Sequence, residues 1–266
     1  MATRSIRTIH FTHLPMSQRL VFTMALLTLG VGYLFAMIQV FETHTGLDGK
    51  SGLTVEDLRI AYSGKQGSTR LQTALMGPMQ GMLPGDERKI ILAWAASDAS
   101  EEGWKQKVKP IMDNRCISCH NGSDPHRPNF TSWNGVAEVV TKDTGMSIAT
   151  LVRVSHIHLF GLTFIFFIVS SVFVHAYIRP LWVKCLLIVL PFLGIIFDIT
   201  SWYLTKYWPG FAWMVIIVGA VMGTSFSIQW VVSIYQMWFY RLPPELDASG
   251  GALPTIGGGA LATDVG

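Results

Sequence analysis

Leu151-Val-Arg153-Val-Ser155-His156-Ile-His158-Leu-Phe-Gly-Leu-Thr-Phe-Ile-Phe-Phe-Ile-Val-Ser-Ser-Val-Phe-Val-His175-Ala-Tyr177 contains no acidic residue and, between His158 and His175, no ionisable one. About 20 apolar residues in a helix match the thickness of a bilayer's hydrocarbon layer, so this stretch predicts a membrane-crossing helix. The same pattern recurs at 20–41, 181–204 and 211–240. Composition agrees: half of the 266 residues are hydrophobic and only 14% are charged, against about a quarter charged in soluble domains. A net charge of +3 is too weak to suggest a nucleic-acid partner, and no Gly-rich phosphate loop is present. The predicted fold class is all-α, with four transmembrane helices and an independent segment between the first two.

The run at 20–41 follows Arg4, Arg7 and Arg19, as a secretory signal would. It is too long for a signal core and lacks a small-x-small cleavage site, so it reads as an uncleaved anchor. Basic residues near span ends mark the cytoplasmic side. Arg4, Arg7, Arg19, Arg179, Lys184 and Arg241 fall on one side, Arg153 and Lys206 on the other. Residues 1–19 are then a cytoplasmic leader, with His10 and His13 solvated, and 42–150 are extracytoplasmic. Trp202, Tyr203, Tyr207, Trp208 and Trp213 bracket the outer turn, while Tyr177, Trp182, Trp238 and Tyr240 mark the inner face. The Gly-, Ala- and Pro-rich stretch 241–266 reads as a disordered cytoplasmic tail.

Within 42–150 the pattern gives short helices near 54–62 and 68–75, then a Met- and Gly-rich turn. A clearer helix at 86–96 has Asp86 as N-cap and an Ile90, Ile91, Trp94 stripe. Another begins near Glu101 with Trp104, Val108, Ile111 and Met112 at helical spacing, and a loop follows at 121–129. That helix leads into Cys116-Ile117-Ser118-Cys119-His120, a C-x-x-C-H that reads as a covalent haem-attachment site. On a helix, i and i+3 share a face, so both thiols can reach one ligand edge. A closed zinc site would need a second pair of ligands, and the only other cysteine, Cys185, lies in an apolar run. A thioredoxin-type dithiol would need a βαβ setting. Cys185 reads as a small buried hydrophobe.

The segment Val108-Lys-Pro-Ile-Met-Asp-Asn-Arg-Cys116-Ile-Ser-Cys119-His120 resembles the attachment region of small monohaem c-type cytochromes. Leu75-Met-Gly-Pro-Met-Gln-Gly-Met-Leu-Pro, followed by Asp86-Glu-Arg-Lys-Ile-Ile-Leu-Ala-Trp, is similar to that family's Met-ligand loop and terminal helix, but it precedes the motif here instead of following it. The resemblance implies a small, permuted, class I-like haem domain inserted between helices 1 and 2, with one covalent haem c held by Cys116 and Cys119. It implies His120 as proximal iron ligand and Met82 or Met79 as distal ligand, with Met146, His156 and His158 as alternatives. It also implies a bacterial inner-membrane, multi-pass protein with a periplasmic haem domain. Each methionine also has a plainer reading, as a flexible filler of core gaps.

Ionisable groups inside a membrane are costly and mark functional sites by default. His156 and His158 enter with span two, and Asp198 sits about six residues from the outer end of span three. Gln39, Glu42 and His44 close span one at the same expected depth. Two residues apart, His156 and His158 cannot share a helix face. The cluster could bind a haem b with His44, take protons from a quinol, or anchor the extracytoplasmic segment through hydrogen bonds. Paired haem b groups across the membrane are disfavoured, since only His175 lies in a span at the inner side. Lys105, Lys107, Lys109 and Arg115 flank the motif, either to steer an acidic redox partner or as an ordinary solvated face.

These readings lead to an electron carrier at the periplasmic face, the redox subunit of a larger membrane complex, working with other membrane subunits or a periplasmic redox protein. Small residues on span four, Gly219, Ala220, Gly223, Ser225 and Ser227, suit helix packing against such subunits. The competing expectation is a quinol-oxidising cytochrome, with quinone as a second ligand and His156, His158 and Asp198 handling protons.

Overall fold

A computed structural model describes residues 8–97, 99–125 and 127–254. Among them every regular element is helical: α1 (Met16–His44), α2 (Val55–Ser63), α3 (Arg70–Met76), α4 (Gly85–Ala96), α5 (Glu101–Gly103), α6 (Lys109–Arg115), α7 (Trp133–Val139), α8 (Ile148–Phe173), α9 (Leu181–Tyr207), α10 (Ala212–Trp238) and α11 (Pro244–Ala248). Helices α1, α8 and α9, and α10 with the turn before it, are long and apolar enough to cross a membrane. The all-α expectation and all four spans are therefore met. The chain divides into two compact units, one of residues 1–37, 154–199 and 217–266, the other of 38–153 and 200–216.

In the first unit, side chains meet backbone polar groups at several breaks in the helical ladder. Pro191 lies inside α9 and has no N–H, so the Leu187 carbonyl four residues earlier loses its helical donor. The buried Gln229 of α10 supplies one from Nε2 at 2.8 Å, and its Oε1 accepts from Ser170 Oγ of α8 at 3.0 Å. One glutamine thus joins three helices. On α1, Trp230 Nε1 reaches the Leu26 carbonyl at 2.6 Å, and it passes where Gly30 has no Cβ, one there lying 3.0 Å from the indole nitrogen. Of the small residues on α10, Gly223 faces Tyr33 and Ser225 is buried within this chain, while Gly219, Ala220 and Ser227 are exposed.

The termini of this unit depart from expectation. Residues 241–254, expected as part of a disordered tail, form α11 and a turn with Leu246 and Leu253 buried. They pair with the leader through His10 N–H to Gly251 O and Leu253 N–H to Thr8 O, both 2.9 Å. Gly250 and Gly251, at φ of +73° and +70°, allow the turn that makes this pairing possible. His10 is fully buried, not solvated, with Nε2 3.1 Å from Gln236 Oε1. His13 meets Asp247 at 2.8 Å. The rest of the tail, 255–266, and residues 1–7 of the leader lie outside the described residues.

The second unit is built on a core of Leu71, Leu75, Leu83, Ile91, Trp94, Trp104, Val108, Met112, Phe130 and Val136. Helices α2 and α3 open with capping boxes, Thr54 with Asp57 and Thr69 with Gln72, which satisfy otherwise orphaned N–H groups. Helix α4 starts one residue before the expected Asp86 cap; Pro84 precedes it, and Asp86 and Glu87 occupy its first turn, where acidic groups suit the helix dipole. Between α5 and α6, Trp104–Val108 widen into a π-turn. Pro110 cannot donate to the Gln106 carbonyl, and a wider turn gives its ring room. The turn keeps Trp104, Val108 and Met112 in the core. At the unit's other end, Gly64 (φ +80°) and Gly145 (φ +66°) cross so closely that a Cβ on Gly64 would lie 2.4 Å from the Asp143 carbonyl oxygen. Buried Asp143 accepts from Thr73 Oγ1 at 2.8 Å and from Lys65 N–H at 3.0 Å. Lys206 of α9 donates to the carbonyls of Tyr62, Thr144 and Met146 at 2.9, 2.8 and 2.6 Å, while Trp202 stacks on Tyr62.

Burial holds the imidazole of His10 below its ordinary pKa, opposed by the Gln236 hydrogen bond and reinforced by His13, Lys184 and His175. The unfolded histidine therefore takes its proton first, so the clamp between the termini is at full strength above about pH 6.5 and weakens as pH falls below it. Amide exchange in 8–14 and 249–254, corrected for intrinsic rates, should accelerate between about pH 7.5 and 5.5, and His10→Gln should remove that dependence.

Candidate functional site

The cysteine motif does not lie in the body of a helix. Cys116 is the C-cap of α6, and the chain continues as a hydrogen-bonded turn, with Cys119 N–H and His120 N–H both donating to the Cys116 carbonyl at 3.1 and 2.9 Å. This turn holds the two cysteines and the histidine in one short hydrogen-bonded segment. Both thiols are free. Cys116 is half-buried against the core, whereas Cys119 is exposed. Burial pushes the Cys116 thiol up, and the nearby Glu87 carboxylate adds to the shift.

His120 is held on two sides. Its Nδ1 lies 3.0 Å from the Pro128 carbonyl oxygen, and its ring stacks on Phe130 with centroids 4.5 Å apart and planes 16° from parallel. A carbonyl can only accept, so Nδ1 carries the proton and Nε2 keeps its lone pair. The loop is closed by Phe130 N–H to His120 O at 2.9 Å. Gly122 and Gly135 accommodate Asn129 where side chains would collide with it. Pro128 and Phe130 were not singled out from sequence; a proline and an aromatic shortly after the motif are too common to signal a role.

The basic flank is largely neutralised. Lys105 pairs with Glu101 at 2.7 Å, Lys109 with Asp113, and Arg115 with Glu87 at 3.0 Å. The last pair ties α6 to α4. This supports the ordinary solvated face over a steering patch.

Met79 caps and Met82 ends a short 3-10 turn (Gln80–Met82), and they are 37% and 71% exposed, so neither is used as core filler. Met146 is tied by its backbone, N–H to Ala61 O at 2.8 Å and its carbonyl to Lys206. His44 is half-buried; its Nδ1 back-bonds to Val40 O at 2.9 Å, and its buried Nε2 has no partner among the described residues. In the first unit, His156 is exposed and edges onto Phe160, while His158 is half-buried with Nδ1 3.0 Å from Val154 O. The two histidines thus take different faces of α8, as their spacing requires. Asp198 on α9 is 8% exposed. Among the described residues no three His, Cys, Asp or Glu side chains cluster as a metal-ion cage. His126, expected to be exposed in the loop at 121–129, lies outside the described residues.

Residues 134–244 match the family pattern of a transmembrane helical domain. No curated protein and no solved structure matches the chain. The chain is a multi-pass membrane protein. The matched region takes in α8, α9 and α10 and begins after the C-x-x-C-H turn, so the family likeness and the motif occupy different parts of the chain.

Limited alkylation of the reduced, cofactor-free protein should modify Cys119 well before Cys116. The Cys116 rate should still be climbing above about pH 8.5; mass mapping of the labelled peptides reads the order.

Proposed function

We propose that this protein is a membrane-bound c-type cytochrome that carries electrons at the periplasmic face of a bacterial inner membrane. The observation that carries this reading is His120, whose Nδ1–H is committed to the Pro128 carbonyl so that Nε2 is left as a metal ligand, one turn from two free thiols. A second-sphere acceptor of this kind fixes the tautomer and raises the basicity of a ligating imidazole. The donor set fits haem c. Two thiols can add across two vinyl groups, each forming a carbon–sulfur bond while its hydrogen goes to the neighbouring vinyl carbon. The buried Trp104 Nε1, which has no hydrogen-bond partner among the described residues, lies in the core that Cys116 packs against and is a further donor that a bound acceptor would satisfy.

When bound, haem supplies an iron that gains and loses one electron. The chain's part is to tether the group through Cys116 and Cys119 and to orient His120 through Pro128 and Phe130. Met79 or Met82, which their turn leaves outside the core, would supply a thioether ligand to the group. Surface on the membrane helices, above all on α1, where 6% of the apolar window is buried, suits a subunit that meets other membrane subunits as well as lipid.

The test is a pyridine haemochrome of protein made in cells with haem-attachment enzymes. Wild type should carry one covalent c-type haem, Cys116→Ala/Cys119→Ala none, and His120→Ala a haem with altered spin state. Absence of covalent haem in the wild type would overturn the reading.

A second reading, quinol oxidation, draws on Asp198, a carboxyl buried within a membrane helix, where ionisable groups usually serve a function. Purified, partner-free cytochrome should then be reduced by a quinol, and Asp198→Asn should slow this by about 100-fold, the typical scale of general-base loss. No reduction of the wild type would overturn this second reading.

A further inference from the structure

The loop from α8 to α9 borders an open cavity of about 540 Å³ whose wall includes Tyr177, the exposed Arg179, Leu181, Lys184, Leu253 and Pro254. Its frame is built. Gln236 clamps the Tyr177 backbone from both sides, accepting its N–H at 2.7 Å and donating to its carbonyl at 2.8 Å. Lys184 is only 8% exposed and donates to the carbonyls of Val174 and Ala176 at 2.6 and 2.8 Å. The terminal clamp fixes the far wall, since Leu253 is buried and its N–H bonds Thr8 O.

Two cations line this cavity, and neither forms an ion pair with a described carboxylate. Carbonyl partners are neutral and leave the charge of Lys184 uncompensated. Arg179 packs over the Tyr177 ring, 5.9 Å from its centroid, which orients the guanidinium without neutralising it. The cavity also lies at the N-terminus of α9, whose first N–H groups favour an anion. A buried cation in an apolar setting is costly unless something negative joins it. The remaining wall is apolar, and the cavity lies where a membrane-crossing helix ends and the next begins, the level of lipid headgroups. Trp182, 65% exposed beside it, suits that interface.

We propose that this cavity binds the phosphate of an anionic phospholipid, held between Arg179 and Lys184, with the glycerol and first acyl carbons against Leu181, Leu253 and Pro254. The inference is independent of haem.

Native mass spectrometry of the full-length protein in detergent tests it, with phosphatidylglycerol and phosphatidylcholine as competing probes. Wild type should retain phosphatidylglycerol in preference to phosphatidylcholine, and Arg179→Gln should weaken that retention by about fivefold, the effect of one basic residue facing anionic lipid. Because Lys184 also braces the loop, Lys184→Arg serves as its variant and should keep the lipid. Equal retention of the two lipids by the wild type, or an unchanged preference in Arg179→Gln, would overturn the proposal. So would displacement of phosphatidylglycerol by millimolar inorganic phosphate, which would identify a soluble anion as the ligand.

Discussion

Hydrocarbon offers no hydrogen bonds, and that single constraint organises the membrane part of this protein. A carbonyl freed from its helix must find a donor within the chain. Pro191 frees one at Leu187, and Gln229 answers it. Where α8 ends, the carbonyls of Val174 and Ala176 are taken by Lys184, and both polar groups of the Tyr177 backbone by Gln236. The side chains that do this are those that hydropathy counts as blemishes in an apolar run. Their burial follows from the proline and the helix ends, and those breaks decide where helices α8, α9 and α10 are joined.

The second unit answers the same demand with short elements and tight crossings. Capping boxes close the starts of α2 and α3, and Asp143 gathers donors from Lys65 and Thr73. A glycine pair lets two backbone segments come closer than any side chain would permit. The cysteine turn follows directly from the packing of α6, because Met112 in the core accepts the N–H of Cys116 and of Ile117. The histidine that completes the motif is therefore positioned by the core on one side and by the Pro128–Phe130 loop on the other.

The spans were legible because length and apolarity are local properties of a chain, and α2, α3 and α4 because caps and stripes are local too. The spacing of Cys116, Cys119 and His120 is local in the same way, and the turn that carries them is set by the end of α6. What could not be read was pairing across distance. Leu246 and Leu253 look like two stray apolar residues in a Gly- and Pro-rich tail, and only their meeting with residues 8–10 makes them core. His10 looked like part of a solvated leader until Gln236, far along the chain, covered it. The orientation of His120 was hidden likewise, since it depends on a carbonyl, a group that every residue has.

Lys206 carries one more consequence, for the order in which the protein is made. Its three acceptors belong to residues 62, 144 and 146, so the ammonium that fastens them is synthesised some 60 residues after the last of them. Translation delivers residues from the N-terminus onward, and the segment bearing Cys116, Cys119 and His120 is thus complete before its fastening exists. There is an interval during biogenesis when that segment is tethered at both ends but not yet cinched. The arrival of α9 closes the interval, when one ammonium joins the carbonyls of Tyr62, Thr144 and Met146.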